Sequence, residues 1–164
     1  MQQNQALIAE IKMEAANTRK ILERVPLDKS DWTPHAKSMP LGRLATHIAE
    51  IPSWVTNTMA HDGLDFAKTP YNAHVATSNE ELVAILDKNV NEAIATLEKS
   101  TDADFGSMWT LRNGEQVFFT LPKAAVLRSF ALSHNYHHRA QLGVYLRMLD
   151  VPLPGMYGPT ADER

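Results

Sequence analysis

Between Gln2 and Val25 the inward-type positions Leu7, Ile11, Ala15, Thr18, Leu22 and Val25 recur at spacings of three and four, which draws one stripe along a helix. Pro26 closes that first helix. The stretch from Leu27 to Pro40 carries Pro34 and Pro40 and no clean period, so a structured connection is predicted. A second helix follows, with Ser38 as its cap and Pro40 early in its first turn. Leu41, Leu44, His47, Ile48, Ile51 and Val55 line one face of it through to about Ala60. Pro52 lies inside this pattern, where it removes a backbone donor and crowds the carbonyl four residues earlier. That predicts a bend near residues 48–51, of the kind that opens a pocket.

Residues 61–77 include Gly63 and Pro70 and have no amphipathic period, and they suffice to cross from one end of a helical bundle to the other. Ser78-Asn79-Glu80-Glu81 is a capping-box pattern. It opens a third helix with Leu82, Ile85, Leu86, Val90, Ala93, Ile94 and Leu97 on one face, ending near Ser100. The period then changes. Met108-Trp109-Thr110-Leu111 and Val117-Phe118-Phe119 are β-prone runs around Asn113-Gly114, which predicts a small hairpin or extended excursion. Thr120 is read as the cap of the last helix with Pro122 in its first turn; Val126, Leu127, Phe130, His134, His138, Gln141, Leu142, Tyr145 and Leu149 form its stripe to about Asp150. The Pro-rich tail 151–159 is not helical and is expected to pack back over the domain. The predicted class is all-α, one domain over residues 1–164, with the extended excursion set before the last helix.

Composition narrows the functions open to such a chain. At 164 residues a single core is expected, burying roughly 70% of the unfolded chain's surface. Sixteen Lys and Arg against 19 Asp and Glu leave a net charge of −3, so there is no basic footprint for a nucleic-acid backbone. The absence of cysteine excludes disulfides, thiolate zinc sites, iron–sulfur clusters and a cysteine nucleophile. No stretch approaches the roughly 20 apolar residues that span a bilayer, and the first residues have no uninterrupted apolar run; no membrane partner and a cytoplasmic location are expected.

The histidines carry the chemistry. His134 and His138 lie four apart on one face of a helix, where their rings can share one metal ion. His47, on the apolar stripe of another helix, could supply a third imidazole. The alternative is three core histidines hydrogen-bonded to carbonyls. Three neutral nitrogens suit Zn, Ni or Fe(II) and leave coordination positions open. His137 falls off the stripe, and His35, His61 and His74 lie in loops, so a surface position is expected for these. Asn135 stands where a zinc protease needs Glu, and no Glu precedes a His by three, which removes the zinc-protease and carboxylate di-iron patterns. There is no serine-hydrolase elbow, Walker loop or dinucleotide fingerprint, so no nucleotide cofactor is expected. Glu50, one turn from His47, is the carboxylate that spacing offers as a proton shuttle, against a solvent-facing role. Gln141, three after His138, could orient that imidazole through its amide, or make a plain polar core contact. Trp54, Tyr136 and Tyr157 are pocket-wall candidates, or simply core.

Leu44-Ala45-Thr46-His47-Ile48-Ala49-Glu50-Ile51-Pro52-Ser53-Trp54, His134-Asn135-Tyr136-His137-His138-Arg139-Ala140-Gln141-Leu142 and the tail from Pro152-Leu153-Pro154 to Tyr157-Gly158-Pro159-Thr160-Ala161-Asp162-Glu163 resemble the DinB / YfiT-like metalloenzyme family. The likeness extends to Asp31-Trp32-Thr33-Pro34-His35 and Leu121-Pro122-Lys123, so it covers nearly the whole chain. The resemblance implies a four-helix bundle with an up-down-down-up course, a long crossover between helices two and three, and one divalent metal held at His47, His134 and His138. It also implies a small-molecule substrate and a homodimer. Relatives of this kind include transferases of bacterial thiols such as bacillithiol or mycothiol, and an isomerase. A thiol transferase is therefore expected. The alternatives are a hydrolase using metal-held hydroxide and a non-catalytic, stress-related metal-binding bundle.

Overall fold

A computed structural model describes residues 2–69 and 71–163. The expectations that fall on Met1, Pro70 and Arg164 lie outside those residues. Helix α1, Gln3–Leu22, turns Leu7, Ile11, Ile21 and Leu22 inward against α4, Asn79–Glu98, which contributes Leu82, Leu86, Val90, Ala93 and Leu97. Each Leu, Ile or Val among them, once buried, contributes about 1.5–3 kcal/mol through the water it sheds. The start of α4 is where the sequence puts it. Ser78 Oγ accepts from the Glu81 amide at 3.1 Å, while the Glu81 carboxylate reaches back to the Thr77 amide at 2.7 Å, one residue earlier than the usual box.

The bend at Pro52 is a complete break: α2, Leu41–Glu50, and α3, Ser53–Ala60, are separate helices joined by a turn at Ile51-Pro52. Ile51 still donates to the His47 carbonyl at 3.0 Å, but Pro52 has no N–H to continue the ladder. Ser38 is not the cap of α2. Its amide closes a turn onto the His35 carbonyl, and Pro40 takes the cap position with no side-chain bond, its carbonyl accepting from the Leu44 amide at 2.9 Å.

A three-stranded sheet corrects the all-α expectation to mostly helical. Strand β1, Gly63–Asp65, runs parallel to β2, Met108–Asn113, which pairs antiparallel with β3, Gln116–Pro122. The β2–β3 hairpin is the predicted one, and Gly114 supplies the left-handed φ of 56° in its turn. Strand β1 sits inside the stretch read as loop. It is admitted by Gly63, where a Cβ would lie 2.5 Å from the Thr110 carbonyl oxygen, so only glycine lets the strands close. A short helix α5, Asp102–Gly106, precedes β2 on a Thr101/Asp104 capping box.

Thr120 caps no helix. It lies in β3 with its hydroxyl 2.9 Å from that of Thr110, and helix resumes only after Pro122. The last helical run is then composite: α6, Lys123–Val126, a π-helical turn over Leu127–Ser133, and α7, His134–Met148. Asp150, at φ 58°, turns the chain out of it, and Leu153 and Met156 of the tail return onto the core as expected. Helix α7 packs on both α1 and α2, which brings its inward face to α2's. Among the described residues no helix is long and apolar enough to cross a membrane.

Candidate metal centre

Helix α2 presents His47 and α7 presents His134 and His138, and one nitrogen from each lies within 4.8 Å of the others. His47 Nε2 is 3.2 Å from His134 Nε2, and the His138 ring centroid is 4.8 Å from that of His47 and 4.6 Å from that of His134. The rings are half-buried. Burial, and then the fields of His134, His138 and Arg43, push the His47 imidazole down to about 4. Burial also lowers His134, with His138 adding to it and the Phe130 carbonyl opposing. It lowers His138 too, against a hydrogen bond to Gln141. Desolvation that disfavours imidazolium leaves neutral rings with lone pairs to offer.

The second nitrogens decide where those lone pairs point. His134 Nδ1 donates to the Phe130 carbonyl at 3.3 Å and His138 Nδ1 donates to Gln141 Oε1 at 2.7 Å, so each ring keeps Nε2 as an acceptor. Two ligands of a tetrahedral zinc, each about 2.0–2.1 Å from the metal, lie about 3.3 Å apart. The donor set and its spacing fit one divalent transition metal.

Around His47 the polar surroundings continue. Glu50 Oε2 lies 4.0 Å from His47 Nδ1, receives Arg43 Nη2 at 2.5 Å and Tyr71 Oη at 2.9 Å, and is only partly exposed. Arg43 Nη1 also donates to the His74 carbonyl at 2.6 Å, which ties residues 71–74 across the open side of α2. Arg43 stands four before His47 and seven before Glu50 and so shares their face, the one sequence signal for its place here. Tyr71 and the Phe130 carbonyl gave no local signal, since one comes from irregular chain and the other from a π-helical turn.

The remaining candidates separate. Gln141 meets His138. Trp54 packs against Phe130 at 5.5 Å and Trp109 at 6.1 Å between ring centroids, and lines a cleft beside α3. Tyr136 and Tyr157 line hollows away from the histidines: their hydroxyls donate to Glu10 at 2.8 Å and Glu14 at 2.6 Å, and both rings stack on Arg139 at 5.5 Å. Tyr136 stands two residues from both His134 and His138, and that offset turns it to the opposite face, toward α1. His137, His35, His61 and His74 are exposed.

The family model described as the DinB family matches residues 1–164. An uncharacterized protein of Bacillus subtilis (strain 168), YrdA, is 26% identical over 157 residues, covering 93% of this chain and 86% of that protein. The crystal structure of a DinB-like protein, YjoA, from Bacillus subtilis superposes with a TM-score of 0.68 at 17% identity, over 97% of this chain and 99% of that one. A DinB-like protein from Bacillus cereus ATCC 10987 gives 0.66 at 21% identity, over 89% and 92%.

Proposed function

This chain belongs to the DinB family, and on that premise we propose that it is a metal-dependent enzyme that transfers a low-molecular-weight thiol to an electrophilic carbon. His47, His134 and His138 hold one divalent ion, Zn, Ni or Fe(II). The observation that carries this reading is the convergence of three neutral imidazole nitrogens within 4.8 Å, two of them fixed through their second nitrogens. Such an ion, when bound, acidifies a thiol that reaches it. The rest falls to the chain's own side chains. Gln141 and the Phe130 carbonyl keep the rings aimed. Glu50 Oε2, near His47 and steadied by Arg43 and Tyr71, takes the thiol proton as sulfur forms its bond to carbon and the leaving group departs with its electron pair.

A thiol supplied by the substrate suits a chain with no cysteine of its own. The Glu50 carboxylate favours one second reading, hydrolysis, in which it takes a proton from water. A four-helix, up-down-down-up course with residues 61–77 as the crossover, and a homodimer in solution, belong to the same proposal; sedimentation checks the dimer. Elemental analysis of untagged protein tests the centre. Near-stoichiometric metal is expected in wild type and little in a His134→Ala, His138→Ala variant, followed by turnover of bacterial thiols with electrophiles. A wild type that takes up neither Zn, Ni nor Fe(II) would sink the metalloenzyme reading.

A further inference from the structure

The two helices that supply the histidines present different outer faces. Along α2 the approach is taken up: Arg43 donates to Glu50 Oε2 at 2.5 Å and to the His74 carbonyl at 2.6 Å, and Tyr71 donates to the same carboxylate at 2.9 Å. Residues 71–74 thus hang across that face, and the side chains of Arg43, His47 and Glu50 are only 13%, 20% and 26% exposed. A cation arriving there meets a guanidinium and a carboxylate already paired with it. Along α7 and the turn before it, Ser133, His137, Ala140 and Val144 follow spacings of four, three and four, and all are exposed. They include no lysine or arginine, and His137 offers their one side-chain nitrogen.

That imidazole does not stand apart from the centre. Its ring meets the His138 ring edge-on, with centroids 4.9 Å apart and planes at 68°. The His138 centroid in turn lies 4.6 Å from that of His134 and 4.8 Å from that of His47, so four rings run unbroken from solvent to the centre. Burial is the main reason the imidazoles of His134 and His138 are lowered, and the field of His137 adds to it at both. One residue of helix turns about 100°, which aims His137 outward from the face its neighbour shares with His134.

We propose that His137 is the entry ligand of this centre: a hydrated divalent ion exchanges one water for the His137 imidazole at the surface of α7, is handed to His138, and leaves by the same steps in reverse. That the ion ends at His47, His134 and His138 rests on the metal-enzyme reading above. A station on the path that is absent from the final ligand set alters both rates alike and leaves Kd, their ratio, where it was.

Zinc uptake by metal-free protein, followed in a stopped-flow instrument against a fluorescent zinc indicator, reads association; release to an excess of chelator reads dissociation; equilibrium titration reads Kd. In His137→Ala both rates are expected to fall severalfold with Kd unchanged. His137→Phe keeps an aromatic ring against His138 without a nitrogen and is expected to be as slow as His137→Ala, whereas His137→Glu, a donor without the ring, restores most of the rate. At an exposed position none of the three is expected to disturb the fold. Wild-type rates in His137→Ala, rescue by Phe and not by Glu, or a severalfold change in Kd would each overturn the assignment, the last two making His137 a support of the bound state. A centre that takes only Ni or Fe(II) is measured with that ion. Failure of wild type to take up any of the three would sink this inference together with the proposed function; metal uptake indifferent to His137 would sink this inference alone.

Discussion

Gln141 fixes which nitrogen of His138 carries its proton, because its Oε1, 2.7 Å from Nδ1, can only accept. A ligand ring held this way loses less freedom when its other nitrogen takes a metal. Gln141→Leu keeps the volume and removes the acceptor. It is expected to weaken metal affinity about 10- to 100-fold with little change in thermal stability, and Gln141→Glu to restore affinity; competition with a chromogenic chelator reads both. Equal affinity in wild type and Gln141→Leu would reduce the contact to ordinary packing. The depressed His47 serves the same end: with its imidazole near 4, protons compete little for the nitrogen at neutral pH.

At the scale of elements, two interruptions aim the site. Pro52 interrupts the α2 ladder, and the helix that restarts at Ser53 carries Trp54 and Asn57 to the cleft. The π-helical turn Leu127–Ser133 inserts extra chain before α7 and so sets the rotation at which His134 and His138 emerge. Deleting exposed Ser129 should return that turn to α geometry and rotate the residues before it by about 100° relative to α7. The expected result is near-native helical circular dichroism with metal uptake lost. Retention of stoichiometric metal would show that the turn does not set the aim.

Across the whole molecule, α1, α7 and the tail are tied by one buried group. Arg139 donates to Glu14 Oε2 at 2.5 Å and to the Glu14 carbonyl at 3.1 Å, with Tyr157 closing over the pair; the two side chains are 3% and 8% exposed. Removing Arg139 alone strands a buried carboxylate. Arg139→Met is expected to cost about 3–5 kcal/mol in urea unfolding, and adding Glu14→Leu to recover most of it. A double variant as unstable as the sum of the single ones would contradict a charge-pair origin. The tail itself is held by surface carboxylates. Arg147 and the Leu153 amide hold Asp162 below its ordinary range, and Arg24 and the Gly155 amide do the same for Glu163. Lowered pKa values mean that this anchoring is present above the ordinary carboxylate range and is lost as pH falls through the folded values. NMR signals of the Leu153 and Gly155 amides are expected to titrate with midpoints below 3.8 and 4.5 respectively; midpoints at those values would indicate a loose tail.

Much of this was legible in the chain. Spacings of three and four marked the long helices, Ser78 marked the start of α4, Asn113-Gly114 the hairpin, and His134 and His138 a shared face, because each of these is a local regularity with a local cause. Others needed the fold. Strand β1 exists only because β2, far along the chain, pairs with it across Gly63. The π-helical turn has no local period that announces it, and that the face carrying Tyr136 meets Glu10 of α1 is a matter of which helix packs there. Sequence alone determined which residues can ligate and which stripes must be buried, since periodicity and side-chain chemistry are properties of neighbours along the chain. Only the tertiary structure decided that His47 meets the other two and that Tyr71 reaches Glu50. Those facts depend on how separate elements pack, and packing distances are not written in spacing.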